Sequence, residues 1–209
     1  MALDTYANLK ISIRSWSHRG DMTDALIDDF IDMAESEMYN NAVEPLRIRE
    51  MESRATASLS TSDRFLALPD LFLAMRRLKL NLSGGDCDVK FQAPDQMVIL
   101  GTSGIPRFYT VTSQLGFDRV SDSAYTGEMQ YYKKLTALSS ANTTNDILTN
   151  YPEIYLNGAL SYLHRFTQDI ENAEYYKTLF YTAIKGANKS ARKGRYGSAP
   201  FIRTEGSTP

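Results

Sequence analysis

The sequence is poor in the residues from which metal sites and disulfide frameworks are built. It contains one cysteine, Cys87, and two histidines, His18 and His164, among 209 residues. A structural zinc site takes four ligands, mostly Cys and His, so the chain offers too few of them. Cys87 has no second cysteine with which to form an internal disulfide. We therefore expect no metal, no cofactor and no disulfide bond within the chain.

The motifs of common catalytic centres are also missing. Cys87 stands at a Gly/Asp-rich turn without the local signatures of cysteine enzymes. Gly84-Gly85 is not followed by Lys-Ser or Lys-Thr, so it does not form a phosphate-binding loop. His18 is expected to cap the C-terminal end of a helix, and His164 to lie on a helix surface. The sequence therefore predicts no catalytic residues and a protein that is not an enzyme.

Long apolar runs are absent as well. No stretch approaches the roughly 18 consecutive apolar residues that a transmembrane helix needs. The first residues, Met1-Ala2-Leu3-Asp4, lack the basic and apolar regions of a signal peptide. We expect a soluble protein that is synthesised in a cytoplasm and has no membrane partner.

The residues that are present indicate an ordinary globular chain, with 43% hydrophobic and 23% charged residues. Apolar residues recur at helical spacing near both ends. The first predicted helix covers about residues 3–17, and the second starts after an N-cap at Thr23 and stops by Pro45. Near the other end, one helix is predicted from about 147 to 166 and a last helix from about 172. Phe30 and Phe180 fall on the predicted core faces.

The middle of the chain has strand character. Short alternating segments with tyrosines and threonines predict strands at 55–59, 64–68, 78–82, 87–91, 107–112, 114–119 and 124–134. We expect the last three to form an antiparallel meander. Short helical turns are predicted at 69–75 and 94–100, and a turn at Gly84-Gly85-Asp86.

These elements predict an α+β fold in which N- and C-terminal helices form a bundle around a central antiparallel β-rich insertion. The predicted boundaries are 1–54 for the first helices, 55–140 for the insertion, 141–193 for the last helices and 194–209 for an extended C-terminal arm. Gly194, Gly197 and Pro200 favour an extended arm over a helix.

Charge is unevenly distributed although the formal net charge is only −2. The second helix carries an acidic series. Such a series is ordinarily a solvated face. Alternatively, it could line a channel for DNA, where negative charge would keep the DNA from binding. Its members are Asp24, Asp28, Asp29, Asp32, Glu35 and Glu37. The last helix ends in a basic series without acids, which is favourable at a helix C-terminus and also suits an acidic partner or a nucleic acid. Its members are Lys185, Lys189, Arg192, Lys193 and Arg195.

The end of the chain combines these cations with apolar side chains. This pattern is typical of an arm that becomes ordered when it binds a partner. The predicted partner-binding residues are Arg192, Lys193, Arg195, Tyr196, Phe201, Ile202 and Arg203.

Eleven short segments, in the same order along the chain, resemble the head–tail adaptor (connector) proteins of tailed bacteriophages, notably the short-tailed ones. These segments are 2–10, 13–16, 28–35, 47–57, 66–70, 104–110, 122–125, 131–132, 135–139, 150–156 and 158–160. The resemblance implies a helical bundle with a β-insertion and no catalytic residues. It further implies a virion subunit that forms a ring, dodecameric in this family, beneath the portal. Such a ring extends the channel through which genomic DNA passes and receives a nozzle or tail completion protein. The resemblance also implies that the C-terminal segment lies against the portal, so we expect the predicted partner-binding residues to contact the portal or a neighbouring subunit.

Two other classes of function remain open at this point. A nucleic-acid-binding accessory protein would use the basic C-terminal segment and would bind DNA with a steep salt dependence. A small enzyme would require a pocket with perturbed titratable groups.

Overall fold

The computed structural model describes residues 3–41 and 43–195. These residues form two compact units. A helical unit comprises the residues up to Glu50 together with those from Thr136 onward, and a strand unit comprises Met51–Leu135. The α+β class that the sequence predicts is confirmed. No helix among the described residues is long and apolar enough to cross a membrane.

Five α-helices occur among the described residues of the helical unit. They are α1 (Tyr6–Ser17), α2 (Asp24–Asn40), α3 (Asp146–Asn150), α4 (Pro152–Phe166) and α5 (Ile170–Arg195). The hydroxyl of Thr23 accepts a hydrogen bond from the Leu26 N–H, which confirms the predicted N-cap of α2. His18 follows α1 in the left-handed conformation, with φ at 53°, and its N–H closes the last turn as a C-cap.

The predicted helix over residues 147–166 is wrong in one respect, because the structure divides it into α3 and α4. Tyr151 lies between them with a non-helical ψ of 54°, and Pro152 begins α4. The clash of a proline ring with the preceding residue disfavours helical backbone there. The oxygen of Asn145 caps α3 by accepting from the Leu148 N–H at 2.9 Å.

Helix α4 lies at the centre of the helical unit, where it packs against α1, α2, α3 and α5. Gly158 makes the closest approach, since a Cβ built on it would be 2.8 Å from the Cβ of Ala34 in α2 and 3.0 Å from the Phe180 ring in α5. Phe30 and Phe180 are buried as predicted. The apolar spacing of the last helix in the sequence also predicts that Tyr175 faces the core. That prediction is wrong, because Tyr175 is exposed and lies about 140° around α5 from Phe180.

Helix α5 continues through Gly194 and Arg195. The assignment of these two residues to the extended arm is therefore wrong. Cations in the last turn interact favourably with the helix dipole and offset the low helix propensity of glycine. The remainder of the predicted arm, residues 196–209, lies outside the described residues.

Seven strands pair in one sheet in the described part of the strand unit. They are β1 (Glu52–Ser58), β2 (Phe65–Leu66), β3 (Phe72–Leu82), β4 (Gly85–Phe91), β5 (Phe108–Val111), β6 (Leu115–Phe117) and β7 (Thr126–Lys133). Their spatial order is β1-β7-β3-β4-β5-β6-β2. Two 3-10 helices, Arg49–Met51 and Pro94–Gln96, complete the elements of the chain described here.

The predicted meander of the last three strands is wrong. Strand β5 pairs with β4 in parallel and with β6 in antiparallel orientation, whereas β7 lies between β1 and β3. The long β3–β7 pairing brings Leu78 opposite Met129 and buries both side chains. Burial of these apolar faces selects β3 as the partner of β7 over its neighbour in sequence.

Two predicted turns also differ from the structure. Residues 69–75 do not form a helical turn, because Leu71 adopts a positive φ of 58° and β3 begins at Phe72. Gly85 and Asp86 belong to β4, so the β3–β4 hairpin turns at Ser83-Gly84 alone. The core of the strand unit consists of Leu59, Leu78, Leu80, Val89, Tyr109, Leu115, Phe117, Met129 and Tyr131.

Candidate functional site

The predicted partner-binding residues fall into two groups. Arg192 and Lys193 are exposed on the last turns of α5, and Arg195 is the last residue of that helix. Tyr196, Phe201, Ile202 and Arg203 lie outside the described residues. The structure therefore describes the backbone positions of the first three cations of the predicted site, whereas its apolar members lie outside the described residues.

The exposed cations of α5 form what we call the cationic face, consisting of Lys185, Lys189, Arg192 and Lys193. Their spacing of three and four residues places them on one side of the helix. Arg192 lies 3.6 Å from Glu44, and its side chain is 68% exposed. Among the described residues, no carboxylate lies within ion-pair distance of the three lysines. The face thus carries excess positive charge that an acidic partner would neutralise.

The side of α5 adjacent to the cationic face is anchored to the segment that follows α2. The side-chain oxygen of Asn188 accepts from the Arg47 N–H at 2.7 Å, and its amide nitrogen donates to the Pro45 carbonyl at 3.1 Å. Asn188, Leu46 and Ala191 are buried there. Because these contacts fix the helix backbone, the cationic face is held in place before any partner binds.

The acidic series of α2 divides into paired and unpaired groups. The Lys10 ammonium lies 2.8 Å from Asp28 and 3.3 Å from Asp24, and Arg14 also pairs with Asp24. Asp29 and Asp32 are exposed. Partial loss of hydration and the neighbouring charges of Asp28 and Asp29 raise the pKa of Asp32. Within the described ranges, no set of three or more His, Cys, Asp or Glu side chains is arranged to hold a metal ion.

Glu35 does not lie on a solvated face, and the expectation that it does is wrong. Its carboxylate is buried and accepts hydrogen bonds from the Leu138 N–H at 2.9 Å and from the Tyr155 hydroxyl at 2.7 Å. Burial raises the pKa of Glu35 despite these two hydrogen bonds, which favour the ionised form. The signal in the sequence was its position four residues after Ile31, on the apolar stripe of the helix.

The hydrogen bonds around Glu35 continue into the segment that leads to α3. The Tyr155 hydroxyl accepts from the Asn145 side chain at 2.7 Å, and Asn145 also donates to the Thr136 carbonyl at 3.2 Å. Asn142 donates to the Ala137 carbonyl at 2.8 Å. The network holds residues 136–145 against α2 and α4. These hydrogen bonds satisfy the buried polar groups of Glu35 and Tyr155.

His164 was expected on a helix surface, yet its side chain is only 12% exposed. Its ring stacks on that of Tyr176 with centroids 5.3 Å apart, and its Nδ1 lies 3.2 Å from Asp169 Oδ2. Packing of the imidazole against an aromatic ring accounts for the burial. Cys87 lies half-buried in β4, with its sulfur 3.8 Å from the Asp88 carbonyl. Neither residue is part of a recognisable catalytic arrangement.

A cavity of about 310 Å³ lies beside α4 and α5 and is lined in part by Glu37, Arg165, Glu174, Lys177 and Tyr181. The Tyr181 hydroxyl donates to Glu37 at 2.8 Å, and burial together with that carboxylate raises the pKa of Tyr181 to about 12. Lys177 lies 3.7 Å from Glu174. Two pairs among the lining groups therefore satisfy each other, Tyr181 with Glu37 and Lys177 with Glu174.

The connection between β4 and β5 exposes three consecutive aliphatic side chains. We call these residues the apolar surface, and they are Val98, Ile99 and Leu100. Sequence reasoning missed it, because residues 94–100 were expected to form a short helix. The signal was the run of three aliphatic residues, Val98-Ile99-Leu100, in a segment without helical or strand periodicity.

Comparison with known proteins bears on the role of these surfaces. The sequence profile described as SU10 adaptor protein matches residues 4–203, which is nearly the whole chain. No match was found among curated protein sequences. The chain therefore belongs to the SU10 adaptor protein family, a family of phage head–tail adaptors.

Proposed function

We propose that the chain is a non-enzymatic subunit of the virion that assembles as a ring, dodecameric as the sequence resemblance implies, beneath the portal. The ring extends the channel for genomic DNA and provides an attachment surface for a nozzle or tail completion protein. Membership of an adaptor family supports a structural head–tail role. The packing of helices from both ends of the chain around α4 supports a bundle as the body of each subunit.

The cationic face of α5 is the observation that carries this proposal. It is a row of cations on a fixed helix, and it leads directly into the chain segment with Tyr196, Phe201 and Ile202. Cations guide the encounter with an acidic surface, and apolar side chains supply affinity once water is excluded. Arg192, Lys193 and Arg195 together with the residues that follow them would therefore dock against the portal.

A nucleic-acid-binding accessory role is the second candidate, and the same lysines favour it. Phosphates would neutralise the cationic face as well as carboxylates would, and such binding weakens steeply as salt concentration rises. The described part of α5 carries no aromatic side chain among these cations on which a base could stack. The adaptor role is therefore preferred.

The proposal is tested by binding the purified chain to purified portal. One variant ends after Arg195, and a second carries Lys189→Glu and Lys193→Glu. The lysine variant should keep the thermal stability of the wild type, because both replaced side chains are exposed. The truncated chain retains every helix and strand that the structure describes and should fold likewise. Both should lose most of their portal binding. Arg54→Glu is the control for charge, since its side chain is 75% exposed on the strand unit.

Full-strength portal binding by the truncated chain would refute the docking role of residues 196–209. Gel-shift titrations with duplex DNA at two salt concentrations run beside these assays. Tight, salt-dependent DNA binding that the lysine variant loses, without any portal binding by the wild type, would favour the accessory role.

A further inference from the structure

The two edges of the sheet in the strand unit differ in length. In the sheet formed by the described residues, β1 pairs with β7 alone and is one edge, and β2 is the other. Proteins usually protect a sheet edge by making it short, by a proline or a bulge, or by a covering segment. Strand β2 has only two residues. Strand β1 has seven residues, contains no proline and keeps its register with β7 without a bulge, so it is the open edge.

The register shows which main-chain groups of β1 face away from β7. The Leu59 N–H donates to the Tyr125 carbonyl at 2.8 Å, which continues the β1–β7 register by one residue. Hydrogen-bonded and non-bonded pairs alternate along an antiparallel ladder, so the N–H and C=O groups of Arg54, Thr56 and Ser58 point away from β7. Within the described chain, no hydrogen bond engages these outward groups.

The side chains along the open edge are small and mostly neutral. Ala55 and Ala57 are half-buried against the core of the strand unit, and Thr56 and Ser58 are exposed. No side chain from Ala55 to Ser58 is charged. A strand added to this edge would cover the two alanines, and cross-strand packing favours apolar side chains beside them.

The apolar surface has the complementary properties. Val98 is 67% exposed, Ile99 57% and Leu100 40%. Two of the three residues are β-branched and favour strands, yet the run belongs to no helix or strand of its own chain. The Leu100 N–H donates to the Asp118 carbonyl at 2.8 Å, which fixes one end of the run. In the part of the chain that the structure describes, no hydrogen bond engages the main chain of Val98 or Ile99.

Pairing of the run with the open edge would satisfy both segments. Because the Leu100 N–H is held by its own unit, the adjacent Ile99 of an extended run presents its N–H and C=O on the opposite side. These groups can exchange two hydrogen bonds with the outward groups of Thr56. Antiparallel pairing of Ile99 with Thr56 also places the aliphatic neighbours of Ile99 beside the two alanines that flank Thr56.

We propose that the apolar surface of one subunit pairs as a strand with the open edge of β1 in the next subunit of the ring. This inference rests on the proposed function, which requires a ring, and it names a contact that joins the subunits. The contact is heterologous, since each subunit uses β1 toward one neighbour and the apolar surface toward the other. Heterologous contacts generate a ring when their rotation closes.

Other occupants of the open edge fit less well. Two β1 strands paired with each other would be related by a two-fold axis and would close as a dimer, not as a ring. The β2 edge of a neighbour offers only two residues for pairing. A strand from a tail protein would cover β1 but would leave Val98 and Ile99 exposed in every subunit.

Cross-linking between two different variants tests the contact. One variant carries Thr56→Cys and the other Ile99→Cys, and both carry Cys87→Ser so that no other thiol is present. The two are mixed, assembled on purified portal and treated with a short thiol-specific cross-linker. The control mixture replaces the second variant by Ser83→Cys with Cys87→Ser, because Ser83 is exposed at the β3–β4 turn of the same unit.

The mixture of Thr56→Cys and Ile99→Cys should give cross-linked dimers on the portal, and the control mixture should give few. The contact holds the two thiols at an effective concentration far above that of chance encounters. The inference is overturned if the first mixture cross-links no better than the control. It is also overturned if Thr56→Cys chains cross-link to each other, since that result indicates β1–β1 pairing. Failure of the wild-type chain to bind portal would instead defeat the proposed function itself.

A charge substitution gives a second test that needs no cysteine. Ile99→Asp should lower the amount of adaptor on the portal by at least about tenfold, as expected for a charge within an interface, without changing the melting temperature. Ile170→Asp is the matched control, because Ile170 is 60% exposed in the helical unit, where an acid at the start of α5 is favourable. Portal occupancy by Ile99→Asp equal to that of the control would contradict the inference.

Discussion

The Tyr155 hydroxyl donates a hydrogen bond of 2.7 Å to the carboxylate of Glu35, a residue 120 positions earlier in the sequence. This contact joins α2, from the first part of the chain, to α4, from the last part. Through this contact the ionisable carboxyl group of Glu35 lies in the core of the helical unit. The pKa of Glu35 is raised by that burial, whereas no cation among its hydrogen-bond partners compensates the charge.

The pH dependence of stability should report on this carboxylate. Because the folded-state pKa is raised, the folded chain binds more protons than the unfolded chain at pH values above the ordinary value of 4.5. The contribution of Glu35 to stability is therefore fully present below that pH and is lost as the pH rises through the folded-state pKa. Glu35→Gln should remove this dependence, so that the variant gains stability relative to the wild type as pH rises.

The measurement is the free energy of unfolding in urea for both proteins from pH 4 to 8. Subtracting the two curves isolates Glu35 from the other carboxylates. Glu35→Ala is the control for hydrogen bonding, and it should cost about 1–3 kcal/mol, since the Leu138 N–H and the Tyr155 hydroxyl lose their acceptor. A difference between wild type and Glu35→Gln that does not change with pH would contradict the expectation.

Glycine substitutions test the close approach at the centre of the helical unit. Gly158→Ala should destabilise the chain by about 1–3 kcal/mol, because its Cβ would meet Ala34 at 2.8 Å and the Phe180 ring at 3.0 Å. Gly186→Ala, on the exposed side of α5 with nothing within 4 Å of the new Cβ, should stabilise by up to about 1 kcal/mol. Chemical denaturation of both variants gives the comparison. Equal effects would show that the α2–α4–α5 contact is looser than described.

The assignment of the core face of α5 is tested by a pair of aromatic residues. Phe180→Ala should cost about 3–5 kcal/mol, since its ring is 1% exposed and packs beside Gly158. Tyr175→Ala, five residues earlier on the same helix, should change stability by less than about 0.5 kcal/mol, because its ring is 58% exposed. Thermal melts of the two variants are the measurement. A larger loss of stability for Tyr175→Ala than for Phe180→Ala would contradict the assigned core face.

Cys87→Ser should leave stability and virion assembly unchanged. Its thiol is half-buried in β4 and makes one weak contact of 3.8 Å with a backbone carbonyl. Plaque counts and melting temperature are the measurements. Failed assembly by a folded Cys87→Ser chain would reopen the question of an enzymatic activity.

Local signals in the sequence predicted local structure well. The Thr23 cap and the burial of Phe30 and Phe180 depend on residues within one or two helical turns, and all three are confirmed. The pairing of β7 with β3 was not predictable in the same way. It depends on which apolar faces fit each other across more than forty residues of chain, as in the register of Leu78 with Met129.

The two candidate surfaces differ in the same way in how far the sequence predicts them. The basic series of α5 was found because charge can be counted along a sequence, and its members Lys185, Lys189, Arg192 and Lys193 are exposed. The apolar surface was missed because exposure of Val98 and Ile99 depends on how the β4–β5 connection lies on the sheet. Glu35 was misassigned for a related reason, since its donors at Leu138 and Tyr155 are supplied by the far end of the chain.

The helical unit is built from two separate chain segments, so it can form only after the second segment has been synthesised. The strand unit is continuous from Met51 to Leu135 and can fold as soon as it leaves the ribosome. Helices α1 and α2 must wait for α4, and at about 5–20 residues per second that delay is on the order of ten seconds. During this interval the buried face of α2, which includes Ile27, Ile31 and Met38, lacks α4, the helix against which α2 packs most extensively. Nascent chains stalled before Pro152 should accordingly recruit chaperones through these residues, and release from chaperones should coincide with translation of α4.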